Sequence, residues 1–263
     1  MESDVQKGWA LILGGSSGLG LATAKKLAAH GFNILIVHRD RKSDLEEITS
    51  KFQEITSNGI SLQSFNMDVA NAEKRAVTID KIKVIVQGGE GIKVMVHSIA
   101  KGNLKLMYGE GQKTLDNKDF EVTLNAMALS LYDWTKTIVA AGLFSDDARI
   151  VSFTSEGSSK AWPGYAAVSA AKATLEALTR SIALEFAPVG IKANCIQSGT
   201  TDTRAFRMIP GHEAIKENAL QRNPNKRLTT PEDVANAVYL LTTDEARWIT
   251  GTVIRVDGGE SLR

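Results

Sequence analysis

With 263 residues, 43% of them hydrophobic and 23% charged, the chain has the make-up of an ordinary globular protein able to bury a sizeable core. A net charge of +1 gives no reason to expect nucleic acid or a membrane surface as partner. Its one cysteine, Cys195, cannot form an internal disulfide, and without a second thiol neither a metal site nor an oxidising compartment has support.

Residues 1–7 mix acidic and basic side chains around no apolar core, so no signal peptide is expected. No run approaches the roughly 20 apolar residues of a membrane span, which points to the cytoplasm. No Pro/Gly/Ser-rich linker or internal repeat breaks the chain, so a single domain over residues 1–263 is expected.

Residues 9–13 form a short apolar run that ends in glycines and predicts a buried strand. Residues 18–30 follow with helical spacing, with Leu19, Ala22, Leu27 and Ala28 along one side and Gly31 as the stop. A second strand is predicted at 32–37. An amphipathic helix at 43–57 has Leu45, Ile48, Phe52 and Ile55 as its stripe. A third strand at 60–66, a helix at 72–87 and a fourth strand at 92–97 come next. A long helix lies within 115–141, a fifth strand at 149–155 and a helix at 164–186. The sixth strand, 191–197, holds Cys195 as a buried small residue. Thr230 and Pro231 mark the start of a helix at 231–242, and a last strand at 252–256 closes the chain. Apolar strands alternating with helices predict a doubly wound, Rossmann-type α/β fold with a parallel sheet covered on both faces. Ligands of such a fold bind beyond the carboxyl ends of the strands, where the strand order reverses.

The link from first strand to first helix carries Gly14, Ser16, Ser17, Gly18, Leu19 and Gly20 in a G-x-x-x-G-x-G pattern. Glycines let the backbone approach a pyrophosphate, and the helix start offers free N–H groups to it. The end of the second strand then meets the adenosine ribose, where an acidic residue suits NAD and an arginine suits the 2′-phosphate of NADP. Here stand Arg39, Asp40, Arg41 and Lys42, which favours NADP(H) over NAD(H). A solvated basic turn, or an Asp40–Arg39 ion pair serving neither cofactor, is the alternative.

Tyr165 and Lys172 stand seven residues apart, about two helical turns, and are expected on one helix face. An ammonium beside a phenol is expected to lower the phenol pKa and tune it as a proton donor. The four histidines have no metal-ligand spacing, so no metal is expected.

With these pieces placed, the chain resembles the short-chain dehydrogenase/reductase superfamily over nearly its whole length. The matches are the glycine loop, Asp68-Val69, Asn125, Ser155 and the terminal Val256-Asp257-Gly258-Gly259. The resemblance implies that Asp68 and Val69 contact adenine and that Asn125 helps order a proton-relay water. Val168 occupies the place of the family's usual tyrosine, and Tyr165 lies about one turn earlier. The displaced tyrosine and the Val96-His97-Ser98-Ile99-Ala100 segment both resemble the enoyl-acyl-carrier-protein reductase branch, and Ser155 its divergent NADPH-using members. Thr200 stands where that branch usually has proline.

The resemblance implies an enoyl thioester substrate on acyl carrier protein, with Tyr165, Lys172 and Ser155 as catalytic residues. Ser98, Ile99, Ala100, Lys172, Thr201 and Thr203 join the phosphate loop, Arg39, Asp68 and Val69 in holding the cofactor. A homotetramer through the helix that bears Lys172 is implied as well. A 3-oxoacyl or other ketone reductase, and a non-catalytic NADP-binding sensor or scaffold, are the alternatives. Residues 204–223 suit either a mobile apolar flap over an acyl chain or an ordinary packed helix.

Overall fold

A computed structural model describes residues 7–56 and 59–263 of the chain. Residues 1–6, part of the segment expected to lack a signal peptide, and Ser57, the expected end of a helix, lie outside the described residues. Seven strands make one parallel sheet: β1 (Trp9–Leu13), β2 (Asn33–His38), β3 (Leu62–Asn66), β4 (Ile92–His97), β5 (Phe144–Thr154), β6 (Ile191–Ser198) and β7 (Val253–Val256). Their order is β3-β2-β1-β4-β5-β6-β7, so the winding reverses between β1 and β4. The expected doubly wound architecture is therefore present.

The helices are α1 (Gly18–Ala29), α2 (Leu45–Thr56), α3 (Ala72–Val86), α4 (Asn117–Leu124), α5 (Ser130–Ala140), α6 (Ala166–Glu185), α7 (His212–Arg222) and α8 (Pro231–Leu241). Every residue of β1 and β2 is buried, because helices cover both faces of the sheet. Alternate side chains feed two cores. Leu11, Leu13, Leu35 and Val37 pack on one face, and Ala10, Ile12, Ile34 and Ile36 on the other. Each such Leu, Ile or Val contributes about 1.5–3 kcal/mol on burial.

Three elements depart from the sequence expectation. β3 is half exposed rather than apolar throughout, since it is the edge strand and has a neighbour on one side only. β5 starts earlier than expected, at Phe144, with Asp146 and Asp147 inside it. The long helix is broken: α4 runs into a π-helical turn, Asn125–Leu129, before α5 resumes.

The strand register sets the site. Leu13 lies opposite both Val37 and His97, and His97 opposite Ser152. The carboxyl ends of β2, β1, β4 and β5 therefore form one rim. Trp134 of α5 fastens the turn beyond this rim, since its ring is fully buried and its Nε1–H donates to Val69 O over 3.0 Å. Trp134→Ala removes both the packing and the bond. It is expected to cost about 3–5 kcal/mol of unfolding free energy in urea titration.

Candidate active site

A cleft of about 690 Å³ opens along the carboxyl rim. Gly14, Ser16, Ser17, Gly18 and Leu19 form its floor. A Cβ on Gly14 would lie 2.3 Å from Ser98 O, and its φ of +89° already calls for glycine. Gly20 is buried beneath the loop rather than lining the cleft, where a Cβ would come within 2.1 Å of Gly14 O. The helix start is free of a side-chain cap, since Ser17 makes no capping bond. Its N–H groups are thus directed at the cleft floor, an arrangement suited to a pyrophosphate.

At the adenosine end, Arg39 and Arg41 line the wall with Asp68 and Val69. Asp40 is taken by His38, whose Nδ1 lies 2.9 Å from Asp40 Oδ2, so it does not pair with Arg39. Arg39 instead reaches Asp68 Oδ2 at 3.2 Å and keeps 59% of its side chain exposed. The same carboxylate oxygen accepts from Lys101 Nζ at 2.7 Å. Burial pulls Asp68 upward, yet Lys101, the Ala70 N–H and Arg39 together hold it below the ordinary carboxylate value. Lys101 lines the cleft and is not among the residues that the sequence singles out. Only its position directly after Ala100, at a strand end, hints at a role.

Ser98, Ile99 and Ala100 follow β4 and line the cleft as expected. Before them, His97 is buried, with Nε2 2.8 Å from Ser130 Oγ. Burial, aided by the charge of Lys172, pushes its pKa down to about 3, so His97 is neutral. Thr203 lines the cleft against Gly18, whereas Thr201 is buried and donates to Gly199 O at 2.9 Å. Thr201 is therefore not a cleft residue.

Lys172 reaches the cleft from the buried side of α6, and its Nζ donates to Phe153 O. Burial lowers its pKa to about 8. Tyr165 caps α6 with φ of −109° and ψ of 0°, just ahead of the first helical residue, so it does not share a regular helix face with Lys172. Its ring packs edge-on to Trp162, with centroids 5.4 Å apart, and over Gly157, where a Cβ would lie 2.5 Å from Cε1. It also borders the small apolar cluster of Met127, Val168 and Ala171. The expected lowering of the Tyr165 pKa is overturned. Burial raises it, with the Ser155 hydroxyl offsetting part of the rise and Lys172 making no contribution. Tyr165 therefore stays a protonated phenol, which is the form that donates.

Ser155 continues directly from Thr154, the last residue of β5. Its Oγ is buried without a hydrogen-bond partner, yet its hydroxyl is near enough to Tyr165 to offset part of the rise in the phenol pKa. Neither Ser155 nor Tyr165 is part of the cleft wall, which at this end is formed by Phe153, Thr154 and Lys172. Val168 is buried against Gly102, where a Cβ would lie 2.6 Å from Val168 Cγ2. Asn125 opens the π-helical turn and is exposed. Among the described residues no group of three or more His, Cys, Asp or Glu side chains is placed to hold a metal, and no helix is long and apolar enough to cross a membrane.

The family model described as Enoyl-(Acyl carrier protein) reductase matches residues 14–261. An uncharacterized oxidoreductase, YjdA of Bacillus subtilis, is 30% identical, with 98% of each chain covered. A 1-cyclohexenylcarbonyl-CoA reductase of Streptomyces collinus is 28% identical over 96% of this chain and 86% of its own. A 3-oxoacyl-[acyl-carrier-protein] reductase, FabG of Staphylococcus epidermidis, is 27% identical over 95% and 97%. Among solved structures, an enoyl-[acyl-carrier-protein] reductase (NADH) of Aquifex aeolicus superposes with a TM-score of 0.85 at 25% identity, covering 99% of both chains. A short-chain dehydrogenase of Burkholderia cenocepacia in complex with NADP gives 0.83 at 26% identity, covering 98% of this chain and 100% of the other. A glycine-lined cleft at the strand reversal, a lysine on its wall and a match over nearly the full length agree: the chain belongs to the short-chain dehydrogenase/reductase family, within its enoyl-(acyl carrier protein) reductase-like group.

Proposed function

We propose that the protein is an NADPH-dependent reductase of the 2,3 double bond of an enoyl thioester carried on acyl carrier protein, acting in fatty-acid synthesis in the cytoplasm. One observation carries this reading. The phenol of the site is Tyr165, set about one turn before Val168 and near enough to the Ser155 hydroxyl to feel it. A ketone reductase needs its acid at the carbon that receives hydride. Enoyl reduction places hydride on Cβ and builds charge on the thioester oxygen, three bonds away, so its donor belongs farther back. Bound nicotinamide supplies the hydride. Tyr165 donates a hydrogen bond to the oxygen that gains negative charge, and its raised pKa keeps the proton on the phenol until then. Ser155 orients the Tyr165 hydroxyl. Lys172, buried and held by Phe153 O, presents its ammonium to the ribose hydroxyls. Arg39 supports the choice of NADPH, since Asp40 is withdrawn toward His38 and most of the guanidinium is open to a 2′-phosphate.

A homotetramer fits the exposed Val122, Leu129 and Tyr132 of the α4–α5 stretch and Leu184 of α6. The second reading, a 3-oxoacyl reductase, is favoured by Ser155, which the common form of the family shares, and by the FabG relative. Crotonyl and acetoacetyl thioesters assayed side by side with NADPH and NADH separate the two. Faster turnover of the crotonyl thioester is expected, and acetoacetyl reduction alone would overturn the enoyl reading.

Tyr165→Phe is expected to lower kcat by about 10²-fold or more while leaving the NADPH Kd unchanged. Full turnover in that variant would remove Tyr165 from the chemistry. Arg39→Ala is expected to weaken NADPH by about 10-fold or more, the worth of a charged hydrogen bond, with NADH unaffected. The pH dependence has a definite sign. Lys172 is charged below about 8 and loses its proton above it. Therefore kcat/KM for NADPH, which reports the free enzyme, is expected to stay level in the neutral range and fall with loss of one proton as pH passes about 8.

A further inference from the structure

Helix α7 is poorly anchored by apolar packing. Ala219 is its one buried residue among those described, and Ile215 and Leu220 are half buried. Its carboxyl-terminal residue does more. Arg222 meets Glu156 in a forked pair, with Nη1 3.3 Å from Oε1 and Nη2 3.1 Å from Oε2. Nη2 also lies 3.1 Å from Glu260 Oε1. The two carboxylate side chains are only 13% and 6% exposed, and the guanidinium 22%.

Each carboxylate belongs to a segment that matters for the site. Glu156 follows Ser155 and opens the short turn Glu156–Ser158, whose Gly157 lies against the Tyr165 ring. Glu260 accepts from Thr200 N at 2.9 Å and from Thr200 Oγ1 at 2.8 Å, and so fixes the entry to the segment that leads to Thr203. Lys160 pairs with Glu156 as well, but from a side chain that is 48% exposed. Arg222 is thus the one cation, among the described residues, that both carboxylates share across three chain segments.

We propose that Arg222 is a positioning residue, seating α7 against the Ser155 turn while holding that turn and the Thr200–Thr203 segment in register. The proposal rests on the reductase reading above and adds the device that orients the acyl substrate. Without Arg222, two nearly buried carboxylates face each other across a loosely packed helix. The Ser155 turn and α7 then separate, and the thioester loses its alignment with the Tyr165 hydroxyl. Arg39 and Asp68, at the adenosine end of the cleft, pair with each other and have no part in this triad.

The test compares wild type with Arg222→Met, Arg222→Lys and Glu156→Gln, each saturated with NADPH. Amide hydrogen exchange by mass spectrometry and steady-state kinetics with the thioester that the wild type turns over are measured together. In Arg222→Met, faster exchange confined to peptides spanning 155–160 and 200–222 is expected. Its thioester KM should rise about tenfold or more while the NADPH Kd holds within about threefold. Arg222→Lys should recover part of the KM, and Glu156→Gln should change it in the same direction by less. Unchanged local exchange in Arg222→Met, or a general acceleration with equal loss of NADPH binding, would overturn the proposal. If the wild type reduces no enoyl thioester, the functional reading fails, but the exchange comparison still decides the role of Arg222.

Discussion

The contact between Gly102 and Val168 closes the space on one side of the Tyr165 phenol. The backbone after β4 lies directly on the Val168 side chain, leaving no space even for a Cβ at residue 102. The phenol enters from position 165, at the cap of α6, where Gly157 makes room for the ring and Trp162 holds it edge-on. Donor geometry and the small apolar cluster of Met127, Val168 and Ala171 are therefore two consequences of one packing choice.

Electrostatics divides the cleft into two halves with different tasks. The adenosine end is open and carries Arg39, Arg41 and Lys101 among Asp40, Asp44 and Asp68, with Arg39 and Lys101 both paired to Asp68. Anion recognition there draws on exposed charges and free helix N–H groups. The substrate end is dry. Burial holds Tyr165 protonated, lowers the Lys172 pKa to about 8 and keeps His97 uncharged. The pKa values of the phenol and the lysine are thus set by desolvation more than by each other.

Much of this is legible in the chain. The apolar runs at Trp9–Leu13 and Ile92–His97 could only be buried parallel strands, and Gly14 and Gly20 stand where a side chain collides with backbone. Arg39, Asp68 and Ser98 follow strand ends, so the topology brings them to one rim. What is not legible depends on distance along the chain. Arg222 and Glu156 are 66 residues apart, and nothing local marks them as partners. The π-helical turn at Asn125 changes backbone hydrogen bonding without altering the side-chain pattern that a helix reading relies on. The Tyr165 pKa runs opposite to the sequence expectation because a spacing of two turns implies a neighbouring ammonium only within one continuous helix. In the fold Tyr165 precedes the helix, and burial sets the direction of the shift.

The proposed function links a backbone approach to a reaction regiochemistry: on that reading the place of the phenol selects which oxygen is stabilised, and with it which carbon receives hydride. Following isotope from NADPH deuterated at nicotinamide C4 into a crotonyl thioester, with the product read by NMR, tests that link most directly. Deuterium at C3 of a butyryl thioester is the predicted result. Crotonyl thioester left intact, with deuterium found only on the carbinol carbon of a 3-hydroxyacyl product from acetoacetyl thioester, would contradict it.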